Sequence, residues 1–155
     1  MIKFEEALQH VTGTVRVKEI EQVNFENSMG RVLAEDIRSD IDMPPFDKSA
    51  MDGYACRMED LDKALEVLEV IPAGRSPEKV VGVNQCSKIM TGSKMPEGAD
   101  CVIMVEQTEE LPDKKIRFNG QKTKTNFVPR GEDVKKDDVV LRKGTRIDPR
   151  HIAVM

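Results

Sequence analysis

Met43-Pro44-Pro45-Phe46-Asp47-Lys48-Ser49-Ala50-Met51-Asp52-Gly53-Tyr54-Ala55 separates two kinds of sequence in this 155-residue chain. Consecutive prolines fix their own φ and push the residue before them to extended geometry. The stretch therefore reads as a rigid joint, and a lobe boundary is expected there. The chain is long enough for one domain or two small lobes with a buried core.

Upstream of the joint the pattern is mixed. Phe4, Ala7, Leu8 and Val11 fall at i, i+3, i+4 and i+7, which predicts a helix with one apolar face. Glu5 and Glu6 stand in its first turn, where a carboxylate meets the positive end of the helix dipole. Thr12-Gly13-Thr14 ends it, and Val15, Val17 and Ile20 then alternate with polar residues as in a short strand. A second helix is expected around Ser28 to Glu35, capped by Asn27 or Ser28.

Downstream, apolar runs become short and β-branched: Leu65 to Val70, Val80 to Val83, Cys101 to Val105 and Ile116 to Phe118. Pro72-Ala73-Gly74, Met95-Pro96-Glu97-Gly98, Asn119-Gly120 and Pro129-Arg130-Gly131 punctuate them as turns. That alternation predicts a compact β lobe with barrel character over 44–139. Leu61 and Leu65, at i and i+4, allow a helical turn between Met58 and Leu65. After a return strand at Val139 to Leu141 and a short one at Thr145 to Ile147, Asp148-Pro149 is a helix start, with Asp as N-cap and Pro at the first helical position. That helix either docks as a terminal element or continues in a longer protein. The second is the expectation, because Met155 falls about two turns in. The fold class is thus α+β: a small mixed lobe, 1–43 with 140–155, carrying an inserted β-rich lobe, 44–139.

Charged residues make up 34 % of the chain, with 24 basic and 28 acidic side chains interspersed, for a formal net charge of −4. This excludes the concentrated basic face of a general nucleic-acid binder. Lys114, Lys115, Arg117, Lys122 and Lys124 form the one basic cluster, readable as a solvated hairpin or as an anion attractor. No apolar run reaches the ~20 residues that a membrane helix needs. Met1 to Val11 lacks a signal-peptide core, so a cytoplasmic protein is expected. Cys56, Cys86 and Cys101 have no zinc-site spacing and read as buried, reduced thiols, so no metal ligands are assigned.

Three segments look chemical. In the first, Pro44 to Ala55, a loop stiffened by prolines carries Asp47, Ser49 and Asp52; Asp52 beside Gly53 suits a tight turn and equally a carboxylate aimed at a substrate or a magnesium-bound phosphate. In the second, Ile89-Met90-Thr91-Gly92-Ser93-Lys94-Met95-Pro96-Glu97-Gly98-Ala99-Asp100, two hydroxyls flank a glycine beside an ammonium, which fits a plain turn or an anion cradle. It lacks the P-loop spacing. In the third, Pro129-Arg130-Gly131-Glu132-Asp133, Arg130 can grip an anion bidentately or pair with Glu132 and Asp133 across a turn. Two histidines at the chain's ends and no GxSxG elbow argue against nucleophilic hydrolysis.

Together these segments resemble the N-terminal region of the MoeA/gephyrin-E family of molybdopterin molybdenumtransferases. Gly30-Arg31-Val32-Leu33-Ala34-Glu35-Asp36, Ala73-Gly74 and Leu141 through Thr145 match it as well, so the resemblance runs from about Phe4 to Met155. It implies an enzyme that inserts molybdate into adenylylated molybdopterin with release of AMP, assisted by magnesium. It also implies a homodimer served by molybdopterin adenylyltransferase-type proteins. The cleft would lie between the β lobe of one subunit and a downstream molybdopterin-binding α/β domain of the other, which is absent here. By resemblance, Asp52 and Thr91 are the catalytic candidates, and Ser49, Arg130 and Asp133 the cofactor-binding ones. Lys48 stands where the family commonly has Asn, and Val128-Pro129 precedes Arg130 where relatives often carry further arginines. One branch of the family clusters receptors through a short peptide, so a non-catalytic binding module is the alternative. The sequence beyond Met155 would separate the two.

Overall fold

The structure, a computed structural model, describes residues 2–155. The chain forms two compact units, Met1–Ile37 with Leu141–Met155, and Arg38–Val140.

In the first unit, helix α1 spans Phe4–Gly13, and a single 3-10 turn follows at Phe25–Asn27. None of the residues of α1 is buried. Two expectations fail here. Val15 to Ile20 lies in no strand, because nothing among the described residues offers it a ladder and every one of these residues is exposed. Ser28 to Glu35 is not a helix. Gly30 takes φ +78, a left-handed conformation that ends helical geometry. Beyond it the backbone bonds to the C-terminal part of the chain instead: Gly30 N donates to Ile147 O, Ile147 N to Arg31 O, and Leu33 N to Thr145 O. This pairing buries Leu33 and Ile147. Helix α2, Pro149–Ile152, starts as expected: the Asp148 carboxylate accepts from Arg150 N, and His151 Nδ1 accepts from Asp148 N.

Strands β1 (Ile37–Arg38), β2 (Lys48–Ser49), β3 (Gly53–Cys56), β4 (Ala64–Ile71), β5 (Gln85–Ile89), β6 (Cys101–Met104), β7 (Thr108–Leu111), β8 (Lys115–Phe118), β9 (Phe127–Val128) and β10 (Val139–Leu141) complete the element order. Six of them form an open sheet in the order β6-β3-β5-β4-β8-β7. All its pairings are antiparallel except β4 with β5, whose register shifts between Val67 and Val70. β2 pairs with β9, and β1 with β10. The expected strands at Leu65 to Val70, Cys101 to Val105 and Ile116 to Phe118 are present. Val80 to Val83 is not a strand: Val81 is buried and its amide donates to Glu97 O, so the segment is held as a loop.

The central strands are covered on both faces. Tyr54, Cys56, Leu65, Cys86, Cys101, Ile103 and Ile116 pack on one side. Ala55, Ile71, Ile89, Met95 and Val102 pack on the other. Burial on both sides explains why Cys101-Val102-Ile103 reads as a continuous apolar run rather than an alternating one. The three thiols sit side by side across β6, β3 and β5, all free and buried, with Cys56 Sγ 3.6 Å from Cys101 Sγ. β3 is fixed in its place by Gly53, where a Cβ would come within 2.0 Å of Ile103 O.

Candidate functional site

The three chemical segments meet at the two residues of β2. On one side, Ser49 N donates to Ser93 O and Met95 N to Asp47 O, both at 2.9 Å, and Gly92 N donates to Ser49 O at 2.8 Å. On the other, Lys48 and Ser49 face Val128 and Phe127 of β9, and Arg130 N donates to Asp47 Oδ1 at 2.7 Å. The third segment is also anchored upstream, through Gly131 N to Pro44 O and Asp133 N to Met43 O, both at 2.9 Å. Segments more than 80 residues apart thus share one short strand; the Arg130–Asp47 bond spans 83.

Asp52 and Thr91 are in direct contact. Asp52 Oδ1 accepts from both Thr91 N and Thr91 Oγ, each at 2.7 Å. These two bonds, the amide's first and the hydroxyl's second, hold the Asp52 carboxyl below the usual carboxylate range. The Thr91 turn itself closes through Ser93 N to Met90 O, with Gly92 at φ +81. Both side chains are exposed, and the hydrogen bonds of Asp52 all fall on Oδ1, which leaves Oδ2 without one among the described residues.

The other candidates are placed differently. Ser49 is buried, and its hydroxyl donates to Met51 O at 2.6 Å, so it braces the loop that carries Asp52. Arg130 does not pair with Glu132 or Asp133. Its Nε donates to Asp42 Oδ2 at 2.6 Å, because the turn at Gly131 aims the guanidinium back along the first segment. Asp42 is held below its ordinary pKa by the Lys136 amide first and Arg130 second. Asp133 is exposed, and its recorded bond is the backbone one to Met43. Of the basic cluster, Lys114 lies in the β7–β8 turn and Lys115 and Arg117 on β8, while Lys122 and Lys124 fall in the loop between β8 and β9. Asp42 escapes sequence reasoning, and so does the bond of Arg130 N to Asp47, since nothing in their spacing marks either pairing.

A family model described as "MoeA N-terminal region (domain I and II)" matches residues 2–155. The chain belongs to this family. It is 40 % identical over 162 residues to a molybdopterin molybdenumtransferase of Staphylococcus epidermidis, covering 99 % of this chain and 38 % of that protein. It is 39 % identical over 165 residues to the one of Bacillus subtilis, with the same coverage. Among solved structures, a molybdopterin biosynthesis MoeA protein of Pyrococcus horikoshii superposes with TM-score 0.75 at 41 % identity, over 86 % of this chain and 37 % of that one. A second structure under the same description gives TM-score 0.81 at 32 % identity, over 99 % and 41 %. The chain therefore spans about two fifths of the length of the relatives it matches. No helix of the described residues is long and apolar enough to cross a membrane.

Proposed function

We propose that this MoeA-type region supplies one wall of the pocket in which a full-length molybdopterin molybdenumtransferase inserts molybdate into adenylylated molybdopterin and releases AMP. The observation that carries the reading is the double hydrogen bond from Thr91 to Asp52 Oδ1. A hydroxyl has one proton. Since that of Thr91 is committed to Asp52, its lone pairs are left to accept from a ligand N–H or O–H. Asp52, kept ionised, is a fixed anion with one unused oxygen. Such groups order a ligand without reorganisation when it binds.

Magnesium fits this wall in one way only. Among the described residues no group of three His, Cys, Asp or Glu is placed to hold a metal ion. Magnesium usually binds through one or two carboxylates plus substrate phosphates, and Asp52 Oδ2 can be such a single ligand. The ion would neutralise phosphate charge beside the wall. Ser49 braces the Asp52 loop, and the amides of Arg130 and Asp133 tie the third segment to Asp47 and Met43, just upstream of β2.

We read 44–139 as a lobe inserted between 1–43 and 140–155, and the span lies wholly within the compact unit Arg38–Val140. The whole protein is read as a homodimer. On α1, Phe4, Leu8 and Val11 are 75, 49 and 65 % exposed, and a helix of ten residues is marginal in water without packing. A second copy is the proposed cover. A cytoplasmic site, with substrate supplied by adenylyltransferase-type proteins, suits three unpaired thiols.

The test is Asp52→Ala in a full-length protein carrying this region. Molybdenum insertion is expected to fall at least ~100-fold with the circular dichroism spectrum unchanged. Activity within twofold of wild type would sink the reading.

A further inference from the structure

We propose that Lys48 and Lys94 form an oxyanion clamp beside the Asp52–Thr91 carboxylate, taking the phosphoryl or molybdate group of the ligand; this rests on the wall reading above. Lys48 and Lys94 are directly opposed in an antiparallel bridge. The bonds on either side, Ser49 N to Ser93 O and Met95 N to Asp47 O, make theirs the non-hydrogen-bonded kind of pair. In such a pair the Cα atoms approach to about 4.5 Å and the side chains are closest. Like charges placed so are destabilising.

No ion pair among the described residues relieves that repulsion. The next residue, Ser49, is buried, and Lys48, on the other side of the strand, is half-buried. The third residue sharing its side across β2 is Val128, which is uncharged. The nearest acid in sequence, Asp47, has Oδ1 committed to Arg130 N.

A tetrahedral dianion between the two ammonium groups turns one repulsion into two charge-assisted contacts. Lysine is suited to this, being a point charge on a flexible stem that does not demand the planar geometry of a guanidinium. Lys94 follows Thr91 by three residues, at most about 10 Å of extended chain. The clamp is therefore within a small molecule's length of Asp52.

The test titrates the isotope-labelled chain, at ~0.15 M salt to screen non-specific attraction, with inorganic pyrophosphate and separately with molybdate. Wild type is compared with Lys48→Asn, at a half-buried position, and Lys94→Asn, at an exposed one. Amide shifts are expected to centre on Lys48 and Thr91 to Met95, and each substitution to weaken binding about three- to tenfold. Response to one anion or to both upholds the clamp and names its ligand. Equal affinity in all three proteins overturns it, as do shifts centred on the 350 Å³ groove lined by Tyr54, Lys88, Lys114 and Lys115. Asp52→Ala in the full-length enzyme separates the two ideas. Flat anion titrations with insertion abolished by Asp52→Ala overturn the clamp and leave the wall. Lysine-dependent binding with insertion intact keeps the clamp and removes the wall.

Discussion

Asp52 and Thr91 stand 39 residues apart and are joined twice at the same carboxylate oxygen. The two bonds can be separated by mutation. Thr91→Val removes the hydroxyl and keeps the amide, which is the larger of the two causes of the lowered Asp52 pKa. In this variant the Asp52 pKa is expected to rise part of the way toward the ordinary value of about 3.9, and in Thr91→Ser to stay low. Carboxyl carbon shifts followed through an acid titration read this directly. A full return to the ordinary value in Thr91→Val would mean that the amide bond contributes nothing.

Gly53 and Gly92 should respond differently to alanine. At Gly53 a Cβ meets Ile103 O at 2.0 Å and Val102 Cγ1 at 3.2 Å, so β3 and β6 must part. Gly53→Ala is expected to destabilise by about 3 kcal/mol or more. At Gly92 there is open space within 4 Å, and only the left-handed φ of +81 resists. Gly92→Ala should lose about 1–2 kcal/mol. Urea midpoints of the two variants, measured side by side, check the order.

Ser87 is fully buried on β5, and its hydroxyl has no hydrogen-bond partner among the described residues. An unmet buried hydroxyl is unfavourable by about 1–3 kcal/mol, and removing it forfeits no bond. Ser87→Ala is therefore expected to leave the urea midpoint unchanged or raise it by up to about 1 kcal/mol equivalent. A loss above about 1 kcal/mol would show that the hydroxyl is satisfied after all.

Acid should loosen the fold through depressed carboxylates. Asp148 is lowered to about 2, chiefly by its bond to Arg150, and Asp42 and Asp52 are lowered as well. A carboxylate whose folded pKa lies below its unfolded one adds stability that is fully present above about pH 4. It disappears as pH falls through the folded value. For Asp148 that window runs from about pH 4 down to about 2. The urea midpoint of Asp148→Asn should fall less steeply than wild type across it.

What the sequence carried, and where it stopped, follows from the kind of force involved. The periodicity of α1, the Asp148-Pro149 start of α2 and the β-branched runs at Leu65 and Cys101 are local signals, and each became an element. β3, with glycine and alanine among its four residues, and β5, with glutamine, serine and lysine, carry poor strand propensity. They are strands because each is an interior strand paired on both sides, where pairing and burial override local preference. The second expected helix failed for the converse reason: its residues bond to Thr145 and Ile147, more than a hundred positions later. At the site, the turns at Thr91 and Arg130 were readable from glycine placement. The pairing of Arg130 with Asp42 across 88 residues was not.

β2 consists of Lys48 and Ser49 alone, yet two distant segments, the Gly92 turn and β9, are held to it. So short a tether gives those segments a common mechanical fate: slack introduced into one must be taken up by its neighbours. Of its two side chains, one is walled in and so constrained by the interior, while the other is only half-buried and freer to vary. Retuning which anion the surface prefers, without disturbing the scaffold, is therefore easiest at position 48 and at position 94 across from it.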